Sequence, residues 1–224
     1  MTDFIASYFG IGPDQLARAA VDTLYMVGWS LVLGTIVAIP LALALVLWRP
    51  GGIKSNPLAH GFINAMVNIV RSLPFIILMV VLMPFTKQVV GTRIGTTAAL
   101  VPLTVFIAPF MARLLETSLL EVPRGIVEAA QSMGASTWQI IRYFLLPEAR
   151  ASIVLGLTTG TVSLVNATAM AGVIGAGGVG DLALTYGYQA FNTPLMLLTV
   201  VVLIILVQAI QSIGNAISRH LRTR

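Results

Sequence analysis

Three short patterns in this chain carry chemistry in other settings. Residues Gly175-Ala176-Gly177-Gly178-Val179-Gly180 satisfy the G-x-G-x-x-G spacing that brings backbone against a dinucleotide pyrophosphate. That use needs a preceding strand and an acid about 20 residues further on to hold the ribose. Here an apolar stretch long enough for a membrane helix comes first, and no acid stands near Thr199. The glycines therefore read as close packing and backbone freedom at the end of a span. Gly51-Gly52-Ile53-Lys54-Ser55 approaches a phosphate-binding loop, but Ile53 stands where that loop needs glycine, and Lys87 has no glycine loop beside it. The chain is expected to hydrolyse no ATP itself. His60 and His220 lie far apart and there is no cysteine, so metal centres and disulfides are not expected.

Two polar features remain. The first is an island, Glu116 to Arg150, between apolar stretches. Pro123 suits a first helical turn, because its missing N–H would have no partner there anyway. Gly134 stands where a left-handed terminating residue is wanted. Ser136 and Gln139 have capping-box spacing, so a second short helix is expected from Thr137 to just before Pro147. Ile126, Val127, Ala130 and Met133 make an apolar stripe on the first helix, and something must cover it. A rigid helix-turn-helix of this kind is a lever, where a solvated loop would need no such stripe.

The second feature lies in an apolar stretch. Thr159, Ser163, Asn166 and Met170 recur at three or four positions, beside the small residues Gly156, Gly160, Ser163, Ala167 and Ala171. Small residues let membrane helices pack closely, and an amide facing lipid without partners is costly. Two readings stand: a packing face alone, or a polar lining for a translocation path with Met170 as a flexible apolar plug. Core filler is the commoner fate of such a methionine. Arg71 reads as an interface residue that extends its charge toward water, or as a substrate ligand.

The elements that must position these residues follow from composition. The chain has 224 residues, 57% hydrophobic and 9% charged, with a mean hydropathy of +0.93, against about 25% charged in soluble domains. It belongs in lipid. A spanning helix needs about 20 apolar residues, and five stretches qualify: 19–48, 62–85, 94–115, 151–174 and 194–213. Asp14 is expected to cap the first and Pro40 to kink it; Arg71 and Pro74 interrupt the second, and Pro102 and Pro109 lie in the third. The expectation is one all-α membrane domain over 1–224 with a loop at 116–150.

Charge sets the orientation. With the amino end outside, the inner segments hold nine basic residues (Arg49, Lys54, Arg113, Arg124, Arg142, Arg150, Arg219, Arg222, Arg224) and the outer ones three (Arg18, Lys87, Arg93). That split obeys the positive-inside rule and puts the island in the cytoplasm. Asp3, Asp14, Asp22 and Asp181 fall outside without contradicting it. The net charge of +5 is thus an orientation signal, and no nucleic-acid partner is expected. The amino end has no basic residue ahead of its apolar core and does not read as a removable signal peptide.

Glu128-Ala129-Ala130, then Gly134, then Leu146-Pro147 resemble the signature loop of permease subunits of bacterial ABC importers, with Phe144 in place of the family's usual isoleucine. Residues 68–86, 98–136 and 173–193 are similar to the methionine importer permeases in particular. The resemblance spans nearly the whole chain and is weakest over the first fifteen residues. It implies a type I importer permease of five transmembrane helices in a bacterial inner membrane, multi-pass, working as a homodimer. It implies that Glu128, Ala129, Ala130, Gly134, Leu146 and Pro147 dock into a separate cytoplasmic ATP-binding subunit, which holds the ATP. It further implies an external substrate-binding protein and transport of D- or L-methionine, and it favours Met170 as the gate on the polar strip Thr159, Ser163 and Asn166 read above from the residues. The chain itself would have no catalytic residue, cofactor or metal. A permease for another amino acid or small solute, an ion-coupled transporter and a membrane scaffold are the rival expectations; the second would need intramembrane carboxylates, and the spans hold none deeper than Asp22 or Glu116.

Overall fold

A computed structural model describes residues 10–222; Asp3 and Arg224, used in the charge count, lie outside them. Helix α1 covers Pro13–Trp48, α2 Pro57–Ser72, α3 Phe75–Val90, α4 Thr96–Leu120 and α5 Arg124–Ser132. Helix α6 runs unbroken over Thr137–Ile174. A short helix α7, Gly178–Asp181, continues into the wide turns of Leu182–Gln189. Helix α8, Thr193–Arg222, closes the described chain. There is no strand among the described residues.

Helix α1 starts with Gly12 in the capping position and Pro13 in its first turn, so Asp14 does not cap it; its carboxylate instead lies in the first turn, where the positive end of the helix favours it. Pro40 sits inside the same unbroken helix, as do Pro102 and Pro109 in α4 and Pro84 in α3. Pro102 and Pro109 are buried, where neighbouring helices can absorb the lost hydrogen bond, whereas Pro40 and Pro84 are exposed. Pro74 behaves differently. The expected single span at 62–85 is two helices, α2 and α3, bent by 105° at Ser72–Pro74. Leu73 is extended, the Ser72 hydroxyl donates to the Ile69 carbonyl at 2.7 Å, and Pro74 opens the next helix. A residue before proline avoids the helical region, and here nothing restores the ladder. Each half has 16 residues, about 24 Å of helix. Tilted equally, the two halves climb about 30 Å together, the depth of the hydrocarbon layer.

Close backbone approaches hold the bundle. A Cβ on Gly34 of α1 would fall 2.2 Å from Ile107 of α4, and one on Gly160 of α6 would fall 2.2 Å from Met111 of α4. Around these contacts lies the main core, with Met26, Ala38, Phe75, Met79, Leu103, Ile107, Met111 and Leu164 buried. Helix α8 joins through Gly214, which meets Thr158, and through Ser218, whose hydroxyl donates to the Ala151 carbonyl at 3.0 Å. The glycine run sits at the opposite end of the bundle from the island. The Thr23 hydroxyl accepts from the Val179 N–H at 2.9 Å, and Gly95 N–H donates to the Gly175 carbonyl at 3.1 Å. It is a packing knot joining α1, the α3–α4 turn and α6.

Candidate functional site: the polar island and the open face of helix α6

The island begins with Pro123 just outside α5 rather than within its first turn. Helix α5 ends at Gly134, whose φ of +77° is the left-handed conformation a terminating glycine adopts. The capping box is complete: Ser136 N–H donates to Gln139 Oε1 at 2.7 Å, and Gln139 N–H donates to Ser136 Oγ at 3.4 Å. The second helix, however, does not end before Pro147. It passes through a wide π turn, Ile140–Leu145, and continues as the long span. Leu146 N–H reaches back five residues to Ile141. The wider turn accommodates a proline that brings no N–H and would otherwise crowd the carbonyl four residues back. Whatever pushes on α5 therefore pushes on a rod that continues through the membrane.

The apolar stripe of α5 is covered by this chain itself. Ala130 is buried, and Ile126 and Val127 pack with Val46, Leu119, Val122, Ile140, Ile141 and Leu145. Met133 is not covered and is 70% exposed. The remaining surface is open: Glu128, Ala129, Gly134, Leu146 and Pro147 are exposed, joined by Trp138 and Tyr143, which sequence reasoning did not single out. Glu128 also lines a cleft of about 150 Å³ with Arg49, Gly51, Gly52 and Arg124. So the loop after α1 is part of this surface too.

The α6 residues separate into two adjacent stripes. Gly156 and Gly160 face Leu114 and Met111 of α4, and Ala167 and Ala171 are buried. That is a packing face. Thr159, Asn166 and Met170 are exposed and Ser163 is half-buried, on an adjoining strip of the same helix. The Thr159 hydroxyl donates to the Leu155 carbonyl at 2.9 Å, so it needs no outside partner. Asn166 has no hydrogen-bond partner among the described residues and lies along a groove with Val165, Ala169, Val200, Leu203, Val207 and Gln208. Met170 is 44% exposed and lines a second groove with Ile76, Val173 and Leu203.

A third polar group was not anticipated. The Arg113 guanidinium donates to Glu116 at 2.6 Å, to Asn64 Oδ1 at 2.7 Å and to Asn68 Oδ1 at 3.0 Å. Glu116 is only 7% exposed. Asn64 and Asn68 share one face of α2, and Arg113 and Glu116 one face of α4, as spacings of four and three require. Those spacings inside apolar stretches were the available signal. Arg71 sits with its guanidinium carbon 5.8 Å from the centre of the Phe110 ring.

The sequence profile of the binding-protein-dependent transport system inner membrane components matches residues 30–224. The chain belongs to that family. It is 50% identical over 220 residues to the probable D-methionine transport system permease protein MetI of Vibrio cholerae, covering 98% of each chain. It is 42% identical over 210 residues to the methionine import system permease protein MetP of Bacillus subtilis, covering 94% of this chain and 95% of that one. A solved inward-facing conformation of the MetNI methionine ABC transporter superposes with a TM-score of 0.92 at 44% identity, over 93% of this chain and 97% of the other. The all-helical membrane architecture and the permease family expected from the signature loop are thus shown. Members of this family are membrane components of transport systems, and the chain's grooves and stripes are to be read as parts of one.

Proposed function

We propose that this chain is the membrane permease of an ATP-driven methionine importer, working as a homodimer in a bacterial inner membrane with its amino end outside. Each copy is gripped by one ATP-hydrolysing subunit over Arg124 to Leu146, and an external binding protein delivers substrate at the glycine-rich end. Glu128, Ala129, Ala130, Gly134, Leu146 and Pro147 form the docking element. Thr159, Ser163, Asn166 and Met170 line the path between the two copies, with Met170 as the apolar closure. Closing of the two ATPases draws the α5 helices together, and α6 turns with them because the capping box and the π turn leave no free joint between docking surface and span. Substrate then moves by rigid-body alternation of access, with no bond made or broken.

The observation that carries this reading is the uninterrupted rod from Thr137 to Ile174, which links the exposed island to the polar strip. It is supported by the likeness to the methionine permeases of Vibrio cholerae and Bacillus subtilis. An ion-coupled mechanism is disfavoured because the buried acid of the spans, Glu116, is already engaged by Arg113. The test is uptake of radiolabelled L- and D-methionine by proteoliposomes holding the complex co-purified on a tagged copy of this chain. Uptake is expected only with ATP and the delivery protein, and Gly134→Pro should leave the complex inserted and hydrolysing ATP while abolishing uptake. Methionine uptake by this chain alone, or normal uptake in the Gly134→Pro variant, refutes the lever.

A further inference from the structure

Helix α2 carries two opposed faces. At about 100° per residue, His60, Asn64, Asn68 and Arg71 fall on one stripe, and the exposed Leu58, Phe62, Met66 and Ile69 on the other side. The apolar side suits lipid. The polar side meets α4, where Arg113 holds Asn64 and Asn68. Arg71 therefore does not point with the lipid-facing side chains, and extension through lipid toward a headgroup does not account for it. Arg113 is engaged by three partners, whereas Arg71 is exposed and has no carboxylate or hydrogen-bond partner among the described residues; its contact is the face of Phe110. An ionised side chain within a span, away from lipid and without a counter-charge, marks a site for something that passes.

Its surroundings say what kind of molecule. The Phe110 ring stacks with Phe106 at 6.4 Å, and Phe106 meets Phe75 edge-on at 5.2 Å. Phe75 and Ile76 begin α3 directly after the elbow, and Ile76 shares its groove with Met170. A fixed cation thus stands at the start of an aromatic row that leads toward the groove of Met170. We propose that the α2–α3 elbow is a substrate station, in which Arg71 takes the carboxylate of an α-amino acid while its thioether lies against Phe106 and Phe110. A guanidinium donates two parallel hydrogen bonds to a carboxylate in a forked pair, and sulfur packs favourably on aromatic rings. This rests on the transport reading above and adds a binding residue within the membrane.

The experiment measures binding of radiolabelled L-methionine to the purified permease–ATPase complex by scintillation proximity, without delivery protein, with L-methioninamide as competitor. The wild-type complex should prefer methionine to its amide by about tenfold or more, since the amide lacks the carboxylate. Arg71→Gln should lose tenfold or more in methionine affinity and lose the preference, in a complex that still assembles and elutes as wild type does. Arg71→Lys, which keeps the charge but not the fork, should retain part of both. An Arg71→Gln complex with undiminished affinity and preference overturns the station, as does a wild-type complex with no preference for the carboxylate. The transport reading fails separately, in the uptake assay. If that assay shows a different amino acid being carried, the same comparison with that amino acid and its amide still decides the role of Arg71.

Discussion

Arg113 illustrates how one side chain ties distant segments together. Its guanidinium joins residues 49 and 45 positions away on α2 while neutralising Glu116 one turn along its own helix. Removing it would leave Glu116 nearly buried and unpaired, and both amides without their donor. Arg113→Ala should therefore destabilise by about 2–3 kcal/mol, the range for breaking a pair that is only partly screened. Arg113→Lys should recover less than half of that loss, because an ammonium cannot span three acceptors in one plane. Melting temperature of the purified complex is the readout, and a lysine variant equal to wild type would mean that charge alone matters. The glycines give a sharper contrast. A Cβ on Gly180 would lie 2.2 Å from the Ala169 Cα, which is backbone and cannot move aside, whereas Gly125 in α5 has nothing within 4 Å. Gly180→Ala should cost about 1–3 kcal/mol by overpacking. Gly125→Ala should be neutral or stabilise by up to about 1 kcal/mol. Equal melting shifts for the two would show that the glycine knot is loosely packed.

At the scale of elements, the island depends on its two punctuation marks. Ser136→Ala removes the hydroxyl that accepts from Gln139 N–H and should cost about 1 kcal/mol of local stability. That loss should appear as faster amide exchange at Thr137–Gln139, with exchange in the span beyond Leu146 unchanged. Acceleration spread evenly along α6 would mean that the box does not act locally. These marks were legible in the sequence because their physics is local: Gly134 needs only a left-handed φ, and Ser136 with Gln139 needs only a three-residue spacing. The elbow was not legible, since Pro40, Pro74, Pro84, Pro102 and Pro109 look alike in sequence and one of the five breaks its helix. What distinguishes Pro74 is the extended Leu73 and the Ser72 hydroxyl turned back on Ile69. The passage of the second short helix through Pro147 was likewise hidden, because it depends on a π turn supported by burial of Ile140, Ile141 and Leu145. The Arg113 group escaped because its partners meet only after α2 has folded against α4.

For the whole molecule, the decisive question is which exposed strips meet lipid and which meet water. Helices α1 and α8 present exposed Ile36, Val37, Val201, Ile204 and Ile205 to their surroundings, all apolar. The α6 strip is also exposed but carries Asn166, with an amide that has no hydrogen-bond partner among the described residues. Burying such an amide in hydrocarbon costs several kcal/mol, of order 2–7, so the membrane-embedded protein must offer it water or a second copy. The chain has no native cysteine, which makes the distinction directly measurable. Single cysteines at Asn166, Ile36 and Val201 in the reconstituted complex are expected to react with a charged, membrane-impermeant thiol reagent at very different rates. Cysteine 166 should react at least tenfold faster than the other two, because a thiol must ionise to react and does so only where water reaches it. Its rate should also change when the ATPases are locked with a non-hydrolysable nucleotide, since the strip is fixed to the rod that they move. If position 166 is as inert as position 36 in every nucleotide state, and no disulfide forms between the two copies there, the strip is a lipid-facing surface and the path lies elsewhere in the assembly.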